Sequence, residues 1–182
     1  MRMLLLHTDF LEYELTKRIK TMAEDVPKGF KGDRLEDCIA AFISVEKADE
    51  GRGDNVADEA ATIIADMAER VKTDRVIIYP YAHLSSALSS QETAIAVLSS
   101  LEDKLKASGT FGVVKRAPFG WYKSFSVRCK GHPMSELSRT IDLSSEAGKG
   151  RVPDGRPDEF GTKAKGATRE EITSQVQSQY II

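Results

Sequence analysis

A lysine occupies a position where a half-buried strand would ordinarily carry an apolar side chain. Across Tyr122 to Cys129, the residues Tyr122, Ser124, Ser126 and Arg128 alternate with Lys123, Phe125, Val127 and Cys129, the period-two pattern of a strand with two distinct faces. Lys123 shares the parity of Phe125 and Val127, which directs its ammonium toward the packed side or a pocket there. A charge in that place is costly without a partner. At the strand's edge the same side chain would instead snorkel to water, and parity alone permits both. Lys123 closes the cluster PFGWYK at Pro118 to Lys123; two further polar clusters, YPYAHLSS at Tyr79 to Ser86 and KGHPMSELSRT at Lys130 to Thr140, also fall at strand ends. Strand ends and the loops after them are where sites are built.

Much familiar chemistry has no support here. There is no Walker A loop, dinucleotide-binding glycine fingerprint, HExxH or GxSxG. His7, His83 and His132 are too dispersed for spacing to define a metal site, and Cys38 and Cys129 form no CxxC pair, which argues against a zinc ribbon or a disulfide framework and for a reducing compartment. Arg52-Gly53-Asp54 matches an adhesion tripeptide, a three-residue coincidence expected by chance.

The elements that would position these residues are read from periodicity. Met3 to Leu6 is a short apolar run ended by His7, Thr8 and Asp9, and Phe10 to Ile19 alternates as a separate strand, with a helix as the competing reading. Asp25 to Asp33 reads as a loop, and Cys38 to Val45 as a buried strand. Val56, Ala60, Ile63, Ile64, Met67 and Val71 recur at helical spacing, with Asp54 or Asn55 expected as the cap. Val76 to Tyr79 is a strand stopped by Pro80. Ala94, Val97, Leu98, Leu101 and Leu105 mark a second helix over about 90–108, with Gly109 as its stop and Lys104 and Lys106 suited to its C-terminal dipole. Val113 to Lys115, Tyr122 to Cys129 and Leu137 to Ile141 complete the strands. The simplest architecture is α/β, a mixed β-sheet with two main helices packed on it.

The chain has 182 residues, 41% hydrophobic and 30% charged, with 26 Lys+Arg against 28 Asp+Glu. That composition fits one globular domain with a loose end and gives no general attraction to phosphate backbones. Met1 to Leu6 is too short for a signal sequence, no apolar stretch approaches membrane-spanning length, and the expected location is the cytoplasm. Domain boundaries are expected at 1–142, followed by a linker or tail at 143–182, where glycines rise, acids match bases, and Lys163, Lys165 and Arg169 offer only weak contact to phosphates.

Five blocks, HTDFLEYE near the start, AFISVEK at Ala41 to Lys47, YPYAHLSS, APFGWYKSF at Ala117 to Phe125 and CKGHPMSELSRTI at Cys129 to Ile141, resemble in order the N-terminal editing domain of archaeal threonyl-tRNA synthetases. The resemblance covers roughly residues 1–142. It implies a D-aminoacyl-tRNA deacylase-like fold, a homodimer, no cofactor or metal, and hydrolysis of serine misattached to threonine tRNA. The partners it implies are the aminoacylated 3′ end of that tRNA and the catalytic part of the synthetase, in cis or in trans. A D-aminoacyl-tRNA deacylase and a noncatalytic tRNA-binding or dimerisation module are the competing readings.

Such an activity has a physical motive. A synthetic site sized for threonine separates it from serine by one methyl, worth only ~1–3 kcal/mol, so a second sieve is needed. The resemblance assigns Lys123 to orienting the seryl group and the attacking water, and His83 to the terminal adenosine or the water. It puts Tyr122 and Glu136 in the pocket wall, Glu136 holding the seryl amino group or Lys123, with main-chain groups around Ser44, Val45, Ala82 and Phe119 shaping the rest. In this family the substrate's 2′-hydroxyl is thought to assist, consistent with the lack of an obvious triad. Trp121 departs from the family's expected tyrosine-like ring, a change expected to alter packing while keeping Tyr122 and Lys123 in register.

Overall fold

The first strand, β1, runs without interruption from Arg2 to Arg18 in the computed structural model, which describes residues 1–143. Two strands were expected here, separated at His7 to Asp9. The polar residues mark a change of face within a single strand. Met3 and Leu5 point to the helix-covered side, whereas Leu11 and Tyr13, of the same parity, lie in the core on the other side. The switch coincides with a register shift between Thr8 and Phe10 against a neighbouring strand and with Asp37 opposite, whose φ of 47° is left-handed. A local irregularity of this kind re-aims side chains without ending the pairing.

β2 (Gly32–Ser44) returns antiparallel to β1, beginning well before the Cys38 expected from hydrophobicity. Helix α1 (Gly53–Val71) follows, then β3 (Arg75–Pro80), α2 (Gln91–Ala107), β4 (Val113–Arg116), β5 (Trp121–Cys129) and β6 (Glu136–Thr140). The sheet order is β4-β3-β2-β1-β5, with β6 pairing the first residues of β1. β2, β3 and β4 are mutually parallel, and the α1 and α2 crossovers supply the required connections.

Both helices cover one face. Val56, Ala60, Ile64 and Met67 of α1 and Ala94, Val97, Leu98, Leu101 and Leu105 of α2 pack with Ile39, Ala41, Ile43, Val76 and Ile78 of the sheet. A second core on the opposite face gathers Leu11, Tyr13, Leu35, Cys38, Ala40, Phe42, Ile77, Tyr79 and Ala117. Alternation along β2 and β3 feeds both cores, which is why those strands read as continuous apolar runs. α2 starts at Ser90, whose hydroxyl accepts from the Thr93 amide at 3.2 Å, and stops before Gly109 at φ 72°. The expected cap of α1 is corrected. Neither Asp54 nor Asn55 caps it, because the helix already begins at Gly53, with Arg52 at the cap position and both residues inside the first turn; Asp54 instead accepts from Ser100 and pairs with Lys104 on α2.

The mixed sheet with two helices stands as expected from the periodicity. The tail expected at 143–182, with Lys163, Lys165 and Arg169, lies outside the described residues beyond Leu143.

Candidate functional site

The carboxyl ends of the parallel strands converge at one end of the sheet. There, Ile43 to Val45 after β2, Pro80 to His83 after β3 and Phe119 to Lys123 at the turn into β5 surround a cavity of about 420 Å³. Crevices outside the carboxyl ends of parallel strands are the usual ligand sites of such sheets. The connection from β1 to β2 closes one side through Ile19 and Met22, and α2 closes another through Gln91, Ala94 and Leu98.

Lys123 is held in this wall by its own local chain. Its ammonium donates to the Pro118 carbonyl at 2.8 Å and the Trp121 carbonyl at 3.1 Å and lies 5.3 Å from the centre of the Tyr79 ring. Burial pushes its pKa down to about 8, with the negative charge of Glu24 acting in the opposite sense. An ammonium has three donors, so two fixed carbonyl contacts leave one for a ligand. The turn presenting those carbonyls depends on Gly120 at φ 74°, a left-handed conformation that favours glycine.

Aromatic rings form the floor. Tyr79, Tyr81 and Phe125 line the cavity, and with the core residue Phe42 they contact one another with centroids 5.2–6.4 Å apart. His83, in a short turn at Ala82–Leu84, meets Tyr81 edge-on at 5.2 Å. Burial raises the Tyr79 phenol to about 12. Ser44 donates its hydroxyl to the Tyr81 carbonyl, and the Tyr81 amide donates to Ile43 at 2.8 Å, so the ends of β2 and β3 are stitched together beneath the cavity. The lining contains no carboxylate, leaving Lys123 as its amine and His83 as its imidazole. This is an apolar box with one fixed N–H donor, suited to a compact ligand carrying a carbonyl or a developing oxyanion.

The structure brings Lys123, His83, Tyr122, Ser44, Val45, Ala82 and Phe119 together around this cavity. Tyr122 stands at the mouth, 59% exposed. Within this chain Glu136 is not brought to it. β6 pairs Glu136 with Leu6 of β1, whereas Lys123 pairs with Leu15. Those partners are nine residues apart on one strand, roughly 30 Å at ~3.3 Å per residue. Trp121 pairs with Arg18, beyond a register shift between Leu15 and Lys17 that separates Lys123 from Tyr122, and its indole N–H donates to the Glu24 carbonyl at 2.9 Å.

Sequence reasoning overlooked Glu24. Its carboxylate accepts from Arg116 at 2.7 and 2.9 Å and from the Phe119 amide at 2.7 Å. No local pattern announces it, because its partners lie more than ninety residues away. Among the described residues no group of three or more His, Cys, Asp or Glu is arranged to hold a metal ion, and no helix is long and apolar enough to cross a membrane.

Comparison with known proteins gives this geometry a family. Residues 1–141 match the archaea-specific editing domain of threonyl-tRNA synthetase. Among curated relatives, the threonine-tRNA ligase of Methanothrix thermoacetophila is 54% identical over 152 residues, 84% of this chain and 23% of the relative. That of Thermococcus onnurineus is 50% identical over 147 residues, 81% of this chain and 23% of the relative. The Methanococcoides burtonii ligase is 43% identical over 175 residues, 96% of this chain and 26% of the relative. The chain thus spans about a quarter of the length of these relatives. Among solved structures, the c-Myc DNA unwinding element binding protein superimposes with a TM-score of 0.56 over 78% of this chain and 99% of its own, at 9% identity, a likeness of fold alone. With the family's match covering every element from β1 through β6, this chain belongs to the archaea-specific editing domain of threonyl-tRNA synthetase.

Proposed function

We propose that this chain is a post-transfer editing hydrolase that removes serine from mischarged threonine tRNA. The observation that carries the reading is the Lys123 ammonium, held by two carbonyls with one donor left over, in a small cavity otherwise lined mostly by apolar and aromatic groups. An aminoacyl ester is already activated, so a positioned water and a stabilised oxyanion suffice without a protein nucleophile. In this reading Lys123 orients the seryl group and the water, and His83 contacts the terminal adenosine or the water. Tyr122 flanks the entry, while main-chain groups of Ser44, Val45, Ala82 and Phe119 shape the amino-acid pocket. The substrate's 2′-hydroxyl assists the attack. The walls of a single chain hold no carboxylate, so carbonyl and hydroxyl oxygens are the acceptors they offer the seryl amino group.

The surroundings of the cavity favour a tRNA end as substrate. Exposed Lys17, Lys20, Lys28 and Lys31 lie on the end of β1 and the connection to β2, the segment whose Ile19 and Met22 line the cavity. The acids of that segment are already engaged, Glu24 by Arg116 and Asp25 by Arg18. Phosphates of the acceptor end would meet this uncompensated charge. The expected homodimer finds support in β5, at the edge of the sheet, where Tyr122 and Phe125 expose large apolar surface. The domain would act in the cytoplasm beside the catalytic part of the synthetase, in cis or in trans.

The test is single-turnover deacylation of serine-charged and threonine-charged threonine tRNA by the 182-residue chain. Fast loss of serine with slow loss of threonine supports the reading. Cleavage of a D-aminoacyl ester alone would make it a chiral deacylase, and binding of charged tRNA without turnover would make it a noncatalytic module.

A further inference from the structure

The connection between β1 and β2 reaches under the cavity, and through Glu24 it is tied to one short segment. Glu24 receives two hydrogen bonds from the Arg116 guanidinium and one from the Phe119 amide on its carboxylate. Its own amide donates to the Phe119 carbonyl at 3.1 Å, and its carbonyl accepts the Trp121 indole N–H at 2.9 Å. Every one of these partners lies between Arg116 and Trp121. The two carbonyls that hold the Lys123 ammonium, those of Pro118 and Trp121, belong to the same segment. The carboxylate is 18% exposed, where a charge acts over distance more strongly than in water.

We propose that Glu24 is a positioning residue of the site: it fixes the Pro118 to Trp121 carbonyl cradle on which the Lys123 ammonium sits, and it supplies a counter-charge across the Pro118–Phe119 peptide, whose amide donates to Glu24 and whose carbonyl holds that ammonium. The inference rests on the hydrolase reading for its catalytic consequence. One side chain serves both halves of the proposal because a bidentate guanidinium pair gives Glu24 a fixed direction, and the Phe119 amide takes one further acceptor site on it.

The charge half follows from what surrounds Lys123. Burial disfavours the ammonium, and Glu24 is the group that opposes it. Its other neighbours in the cavity wall include Tyr79, Tyr81, Tyr122 and His83, and no carboxylate stands among the lining residues. Arg116, on β4, would add positive charge, but its guanidinium is already shared between Glu24 and Glu102, the latter on α2 at 2.7 Å from its Nε. Glu102 in turn binds Lys106 at 2.7 Å. The chain Lys106, Glu102, Arg116, Glu24 thus links α2, β4 and the β1–β2 connection to the cradle, and Glu24 is the member that touches it.

The experiment follows the titration of Lys123 by NMR of labelled lysine in the 182-residue chain, alongside the pH profile of single-turnover serine removal. Glu24→Gln should move the Lys123 titration acidward by about one unit and carry the alkaline limb of the rate profile with it. A role in folding alone would lower the rate at every pH and leave both midpoints in place, and unmoved midpoints in a folded Glu24→Gln overturn the charge half. Glu24→Asp keeps the charge and shortens the reach. It should hold the titration near that of the wild type while slowing serine removal ~10-fold or more through a displaced cradle; an unchanged rate overturns the positioning half, and this variant decides the matter if Glu24→Gln does not fold. The NMR arm needs no substrate, so loss of the hydrolase reading and loss of the Glu24 assignment are separately visible.

Discussion

Nδ1 of His7 lies 2.8 Å from Nε2 of His132, the two rings meeting edge-on at 65°. One nitrogen must donate and the other accept, so the contact is lost when both carry protons. His7 is buried, and its Nε2 lies 3.6 Å from an Asp37 carboxylate oxygen, which Lys130 bridges to Asp9 at 3.0 Å on each side. Burial first, then Lys130 and His132, push the His7 pKa below its ordinary value, with Asp37 opposing.

A depressed histidine stabilises the fold while neutral. Its contribution is fully present above about pH 6.5, the unfolded value, and is lost as pH falls toward the folded one. The melting temperature is therefore expected to drop as pH falls below about 6.5. Differential scanning calorimetry across that window, with His7→Gln beside the wild type, checks it; the variant should show a flatter profile.

Lys123 gives the opposite kind of window. If its ammonium donates the third hydrogen bond to substrate, serine removal should decline as pH rises through about 8, the value to which burial brings it. Lys123→Met should lose that limb and at least ~100-fold in single-turnover rate, the usual scale for one preorganised donor. Because burial favours the neutral amine in the fold, the wild type should also gain stability relative to Lys123→Met between about pH 8 and the unfolded value of about 10.4. Paired pH-rate and pH-melting profiles separate these effects.

Gly120 permits the turn from which the cradle hangs. A Cβ at this position would stand 2.2 Å from the Met22 carbonyl oxygen, on a backbone with φ of 74°. Gly120→Ala should cost about 1–3 kcal/mol and spread the β1–β2 connection from the site. Denaturant unfolding measures the first, and the rate of serine removal the second.

Contact between the basic segment and tRNA predicts a salt signature. Lys17→Ala, Lys20→Ala and Lys28→Ala together should weaken binding of the charged tRNA and reduce the slope of log affinity against log salt by up to ~0.7–0.9 per phosphate contact removed. Hydrolysis of a seryl ester of adenosine alone should be unaffected. Equal slopes for the triple variant and the wild type would place the phosphates elsewhere.

The sequence by itself determined the parts governed by short-range rules. Helical spacing from Val56 and from Ala94 located both helices because a buried stripe must recur every third or fourth residue. The parity of Lys123 with Phe125 and Val127 pointed its ammonium inward because side chains alternate across a strand. The order of five blocks was enough to suggest the family. Only the tertiary structure decided that β1 is a single strand, since the paired irregularities at Thr8–Phe10 and Asp37 arise from two strands changing face together. It also set Glu136 roughly 30 Å along β1 from Lys123, because register is a property of a strand pair. Glu24 makes the same point at the site. A glutamate in a loop acquires its role only when folding brings Arg116 and Phe119 to it, and nothing within either segment's sequence records that meeting.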